Sequence, residues 1–225
     1  MPLAGKGMLL TSMDIDPSDE AEFNRWYDRE HLLERVAIDG FLEARRYVAH
    51  QGSPKYLCLY STRTFDVLDS PTYRTVLANP TEWSKTTMAR FRNMIRAVAR
   101  ITISRGIGRG AALGVVRLRP TAGEADRLRD ALRQKLDPEK LDGIISMQLI
   151  ESDPTLSKPI GADSAVGDAG AGDWFVLIEG TDVNAISAVI AARFTGAAAL
   201  TSAAPVATGS YRLMWDLAKS DIPAV

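Results

Sequence analysis

Residues 8–61, MLLTSMDIDPSDEAEFNRWYDREHLLERVAIDGFLEARRYVAHQGSPKYLCLYS, decide the fold. Residues 8–14 form a short apolar run that reads as a strand. Asp16 and Pro17 follow, an N-cap residue and a proline at the first helical position, so a helix opens there. It should run to about Ile38, where Gly40 supplies a left-handed stop. Residues 41–50 alternate, with Phe41, Glu43, Arg45 and Tyr47 on one face and Leu42, Ala44, Arg46 and Val48 on the other. Gln51-Gly52-Ser53-Pro54 is a turn, and residues 56–61 are the returning strand.

Working outward, Ser70-Pro71 opens more helix, Asn79-Pro80 interrupts it, and Thr81 can cap a restart through Trp83 and Met88. Residues 97–104 read as a last strand. The order is β-α-β-β-α-β, the ferredoxin-like unit. Residues 105–110, RGIGRG, form a glycine-rich joint, with no Lys-Ser or Lys-Thr to make it a phosphate loop. The same order then returns: strand 112–118, helix 124–136 with Leu128, Leu132 and Leu136 at helical spacing, strands 144–151 and 174–179, helix 184–194 and closing strand 211–217. Residues 152–173 are too long for a tight hairpin and read as a mobile loop, and 196–209 are poorly patterned. The expectation is an α+β chain, an internal duplication at the level of element order, with an N-terminal unit over 1–108 and a C-terminal unit over 109–225.

Bulk properties narrow the function. With 27 Lys and Arg against 28 Asp and Glu, the net charge of −1 gives no general attraction to nucleic acid or anionic lipid. Arg90-Phe91-Arg92 reads as a solvated helix face. Cys58 is the only cysteine, which excludes an intrachain disulfide, and it sits in an apolar run as a small core residue. No apolar stretch has the length to span a bilayer, and the N-terminus lacks a signal-peptide pattern, so a cytoplasmic protein is expected.

Chemistry concentrates in one run, Phe23-Asn24-Arg25-Trp26-Tyr27-Asp28-Arg29-Glu30-His31-Leu32-Leu33-Glu34-Arg35. At about 100° per residue, Phe23, Trp26, Leu33 and Ala37 make a core-facing stripe, and Glu30 falls inside it. A carboxylate there is either protonated or held by a cation, with Arg45 or Arg46 as candidates. Glu30 and His31 would then be an acid/base pair, with Asp28 or Arg35 orienting the ring or setting its charge. Trp26 and Tyr27 would supply flat walls for an aromatic substrate, with Arg35, Arg45 and Tyr47 as further binding residues. Each has a structural alternative: core anchors for Phe23 and Trp26, an internally satisfied Glu30, a carbonyl-bonded His31, and surface pairs for Arg29, Glu34 and Arg35. His50 reads as solvent-facing.

A metal site is not expected. Adjacent Glu30 and His31 diverge on a helix, Tyr is a rare ligand for pairing with His31, and HExxH is absent. No dinucleotide fingerprint or Walker sequence occurs, so no cofactor is expected. The second half has no counterpart of the Trp-Tyr-Asp-x-Glu-His run, which leaves one site per chain.

The doubled βαββαβ order and the run Phe23-x-x-Trp26-Tyr27-Asp28-x-Glu30-His31 resemble the dimeric α/β-barrel superfamily, and within it the EthD-like proteins. The superfamily also holds antibiotic-biosynthesis-type monooxygenases, muconolactone-isomerase-like enzymes and small polyketide cyclases. The resemblance implies two tandem units packed sheet to sheet as a pseudo-dimeric barrel, with helices outside and a ligand pocket between helices and sheet. Haem binding occurs in relatives and would need His31 or His50 as an axial ligand in an open pocket. Three functions stand open: a cofactor-independent acid/base enzyme (isomerase, cyclase or dehydratase) on a small hydrophobic or aromatic molecule; a cofactor-free monooxygenase; and a barrel that binds a small ligand or only assembles. Outer edge strands could still pair two chains into a homodimer.

Overall fold

Eight strands, each paired antiparallel with two neighbours, close into a barrel in the order β1-β3-β2-β8-β5-β7-β6-β4. The strands are β1 (Gly7–Asp14), β2 (Phe41–Gln51), β3 (Tyr56–Thr62), β4 (Arg92–Gly106), β5 (Ala112–Pro120), β6 (Ile144–Ser152), β7 (Trp174–Gly180) and β8 (Ala203–Ala218). Outside lie α1 (Glu20–Trp26), α2 (Leu32–Ala37), α3 (Pro71–Ala78), α4 (Glu82–Met88), α5 (Ala125–Lys135) and α6 (Val183–Phe194). The computed structural model describes residues 3–158, 171–196 and 200–223. Most of the loop expected over 152–173, and part of 196–209, lie outside them. No helix of the described residues is long and apolar enough to cross a membrane.

The element order is βαββαβ taken twice, as the sequence implies. The first helix opens later than Asp16-Pro17 signals, at Glu20, after a turn closed by the Asp19 amide donating to the Asp16 carbonyl. The next local signals act as expected. Ser70 accepts a hydrogen bond from the Tyr73 amide and Thr81 from the Ser84 amide, capping α3 and α4. Gly40 takes φ +85° after the first helix, where a side chain would also meet Val67. Two strands outrun their expected bounds. β4 pairs with β1 through residues 92–100 and with β6 through 99–106. β8 pairs with β5 through 203–212 and with β2 through 210–218. Each serves both halves, and most of its extra length, residues 92–96 of β4 and 203–209 of β8, pairs within its own half. Closure occupies these outer edges, so the edge-paired homodimer anticipated from sequence has no free strand to use among the described residues.

Strand alternation sorts side chains into three apolar clusters. One fills the barrel, with Leu10, Tyr47, Leu57, Leu113, Phe175 and Leu177 drawn from both halves. A second lies under α1 and α2, around Trp26, Leu32, Val36, Cys58 and Tyr60. A third lies under α5 and α6, around Leu128, Leu132, Val176, Ile178 and Ile190. The barrel also holds ions. Arg45 pairs with Glu179 and donates to the Gly110 carbonyl at 2.9 Å, while the Gly110 amide donates to Glu179 at 2.9 Å. Arg109 pairs with Glu43 beside them. The glycine-rich joint thus anchors the two halves to each other inside the barrel.

Candidate active site

The first helix does not follow the 100° rule through its length. Between α1 and α2, residues Tyr27–His31 form one π-helical turn, closed by the Leu32 amide donating to the Tyr27 carbonyl. The turn holds one residue more than an α-turn and rotates everything after it. The expected stripe of Phe23, Trp26, Glu30, Leu33 and Ala37 therefore breaks. Phe23, Trp26, Tyr27, His31, Leu32, Arg35 and Val36 are buried instead, while Leu33 is 47% exposed and Ala37 is exposed.

This rotation corrects the acid/base pair. Glu30 turns away from the sheet, half-buried against α4, where Oε1 accepts from Trp26 Nε1 at 3.2 Å, Thr81 Oγ1 at 2.6 Å and Ser84 Oγ at 3.1 Å. Neither Arg45 nor Arg46 reaches it. His31 turns inward in its place and stacks on Trp26 with ring centroids 4.1 Å apart and planes 28° from parallel. Tyr27 meets the imidazole edge-on at 5.1 Å and Tyr60 at 6.2 Å. Stacking of this kind and the three donors to Glu30 offset the weaker backbone geometry of the π turn.

Parity on β2 separates the remaining candidates. Arg46 faces the helix, its guanidinium 4.1 Å above the Tyr27 ring, and donates to Asp28 at 3.2 Å and Asn24 at 2.6 Å. Trp215 on β8 donates to the same Asp28 oxygen at 2.9 Å. Asp28 therefore holds Arg46 and Trp215 and does not orient His31. Arg45 and Tyr47 face the barrel interior, on the other side of the sheet from His31. The structure brings together Trp26, Tyr27, His31 and Arg35, leaves Glu30 hydrogen-bonded to the Trp26 indole alone among them, and sets Arg45 and Tyr47 on the other side of the sheet.

Charges fix the protonation states. Burial, and then the neighbouring Arg35 and Arg46 charges, push His31 well below the ordinary histidine range, so the imidazole is neutral. Burial raises the Tyr27 and Tyr60 phenols and pushes the Cys58 thiol up to about 12, so all three stay protonated. His31 is 8% exposed. Its Nδ1 is fully covered and makes no hydrogen bond. Nε2 makes no hydrogen bond either and is not fully covered.

Buried polar atoms in proteins almost always have partners. Here Thr11 Oγ1, His31 Nδ1, Glu34 Oε2, Arg35 Nη1, Arg46 Nε and Tyr60 Oη are covered and make no hydrogen bond. All six lie between the first helix and the outward face of β1, β2 and β3. Sequence reasoning missed Thr11 and Tyr60. Their signal was parity: Tyr60 shares a face with Tyr56 and Cys58, and Thr11 with Leu9 and Met13. The environments of the histidines do not suit a haem axial ligand, because His31 is stacked against Trp26 and His50 is exposed at a strand end. Among the described residues no three His, Cys, Asp or Glu side chains gather as a metal site would require.

No family model matches the chain, and no curated protein matches it. Solved structures do match over nearly the whole length. An anthrone oxidase-like protein aligns with a TM-score of 0.67 at 11% identity, covering 98% of this chain and 96% of that one. A protein of Lactobacillus acidophilus provisionally named a monooxygenase aligns at 0.57 and 8% identity, covering 96% and 97%. A chlorite dismutase variant from Candidatus Nitrospira defluvii aligns at 0.51 and 10% identity, covering 92% and 91%. At such identities the shared property is the fold, the dimeric α/β barrel built here by one chain; nothing in these neighbours singles out the EthD-like branch.

Proposed function

We propose that the chain is a cofactor-independent oxygenase acting on a small electron-rich aromatic molecule, with His31 as the base. One observation carries this reading: a neutral imidazole, packed against Trp26 and Tyr27, has a free Nε2 in a region where five other buried polar atoms make no hydrogen bond. A neutral imidazole is the form that takes a proton. Arg35, with Nη1 unpaired, is placed to balance the negative charge left on a deprotonated substrate.

The substrate needs an acidic C–H, such as a ring methylene conjugated to a carbonyl. Loss of its proton to His31 leaves a carbanion that can reduce dioxygen directly. In balance, CH2 plus O2 gives C=O plus H2O. The names of the neighbouring structures, anthrone oxidase-like and monooxygenase, favour oxygen chemistry over isomerisation, cyclisation or dehydration. The engagement of Glu30 with Trp26, Thr81 and Ser84 points the same way, since a two-group proton shuttle loses its acid.

The test is oxygen uptake with 1,8-dihydroxyanthrone as probe. The wild-type chain should consume oxygen as quinone forms, and His31→Ala should lower the rate by on the order of a hundredfold or more. Equal uptake by the variant removes His31 from the mechanism, and no uptake by either protein rejects the oxygenase. The second reading, a non-catalytic barrel, is favoured by the three hydrogen bonds that Glu30 Oε1 accepts and predicts that second result.

A further inference from the structure

We infer that Glu34 is the positioning residue of His31, holding its Nδ1 edge so that the Nε2 lone pair faces outward; the inference rests on the reading of His31 as the base.

Glu34 follows His31 by three residues in the regular turn after the π segment, and its Oε2 lies 3.9 Å from Nδ1. Both atoms are buried and neither has a hydrogen bond, so each is the other's available partner. Arg35 Nη2 stands 3.8 Å from the same oxygen and fixes its charge in place. The remaining groups that face the imidazole supply no negative charge. Tyr27 on the same helix and Tyr60 and Cys58 on β3 stay protonated, and Arg46 on β2 is a cation. The other carboxylates of the helix run are engaged elsewhere, Asp28 with Arg46 and Trp215, and Glu30 with α4. Among the described residues Glu34 is the one carboxylate within 4 Å of His31.

The chemical consequence concerns the tautomer. A carboxylate facing Nδ1 favours the proton there, which leaves Nε2 as the acceptor. When Nε2 takes a proton, Glu34 balances the new charge, and the 3.9 Å separation can close by a small side-chain rotation. Without Glu34, Arg35 loses its carboxylate and no negative charge faces the imidazolium.

The experiment is nitrogen NMR of histidine-labelled chain, wild type against Glu34→Gln and Glu34→Ala, with melting temperature as the check on folding. The expected result is an Nδ1-protonated ring in the wild type. In both variants the Nε2-protonated form should appear and the His31 midpoint should fall, because the charge favouring the cation is gone. Oxidation of the anthrone probe should drop by about tenfold, a fraction of what the base contributes, with KM little changed. Unmoved tautomer and midpoint in both variants overturn the inference even if the probe is oxidised. A shifted tautomer with no oxidation of the probe by the wild type leaves the pairing standing and overturns the base.

Discussion

The opening helix segment of each half covers the same region of its sheet, and the two are built on opposite principles. In α5 the buried residues are leucines: Leu128 and Leu132 are fully covered, with Leu136 just beyond. Its charges point out, Arg133 to Asp130 and Arg129 to Glu151. In α1 and α2 the buried set includes a tryptophan, a tyrosine, a histidine and an arginine, threaded through a π turn. Among the described residues, the six buried polar atoms of the outer sheet face that make no hydrogen bond lie here. The other four, on Arg45, Tyr47, Gln148 and Ser152, share the parity of the barrel interior. A core selected only for stability pairs its polar groups or omits them. The first half retains them where a ligand or a proton would have use for them.

The sharpest way to break this contrast is a pair of substitutions with opposite signs. Leu132→Ala removes a fully buried side chain from a packed stripe and should cost about 2–5 kcal/mol. Tyr60→Phe removes an unpaired buried hydroxyl at nearly constant volume and should gain about 1 kcal/mol. Denaturant unfolding at pH 7.5 measures both. A clear loss in Tyr60→Phe would mean that the hydroxyl has a stabilising partner, and the first half would then be an ordinary core.

A smaller effect separates the halves by pH. Both histidines lie in the first half, so no imidazole of the second half titrates between pH 7 and 5. The folded His31 sits well below the ordinary histidine value of about 6.5, and the unfolded chain takes up the proton first. Stability is therefore fully present above about 6.5 and is lost as pH falls from there toward the folded value, at up to about 1.4 kcal/mol per unit. His31→Phe should flatten that slope. A wild-type melting temperature constant from pH 7 to 5.2 would show that the buried ring takes up its proton as readily as the unfolded chain does.

Sequence carried the element order because it rests on local signals: the caps at Ser70 and Thr81, the stop at Gly40 and the leucine stripe of α5. Two things escaped it for definite reasons. The early parts of β4 (92–96) and β8 (203–209) pair within their own halves, but their residues are mostly exposed or half-buried and carry no alternating apolar pattern that records a strand. The orientation of the catalytic candidates depends on one extra residue in a helical turn. That insertion moves Glu30 out and His31 in, and a fixed 100° step cannot show it. Alternation did place Arg45 and Arg46 on opposite faces. It could not say which face meets the helix, because a closed barrel buries both.

The smallest expected effect concerns how each half finishes its first helix. The end of α5 is met from its own half, where Arg193 donates to the Lys135 carbonyl at 3.0 Å. The end of α2 is met from the far end of the chain, where Lys219 Nζ donates to the carbonyls of Val36 at 2.9 Å and Ala37 at 2.6 Å. A cation at a helix C-terminus contributes about 0.3–1 kcal/mol, and less in high salt. Lys219→Met should therefore lower stability by about that amount, with the difference shrinking in 1 M NaCl. If Lys219 only pins a solvent-exposed end, the His31 NMR midpoint should stay where it is. If the chain terminus also sets the seat of the first helix over the sheet, the midpoint moves with the loss of the lysine, and the second half becomes a contributor to the site rather than its scaffold.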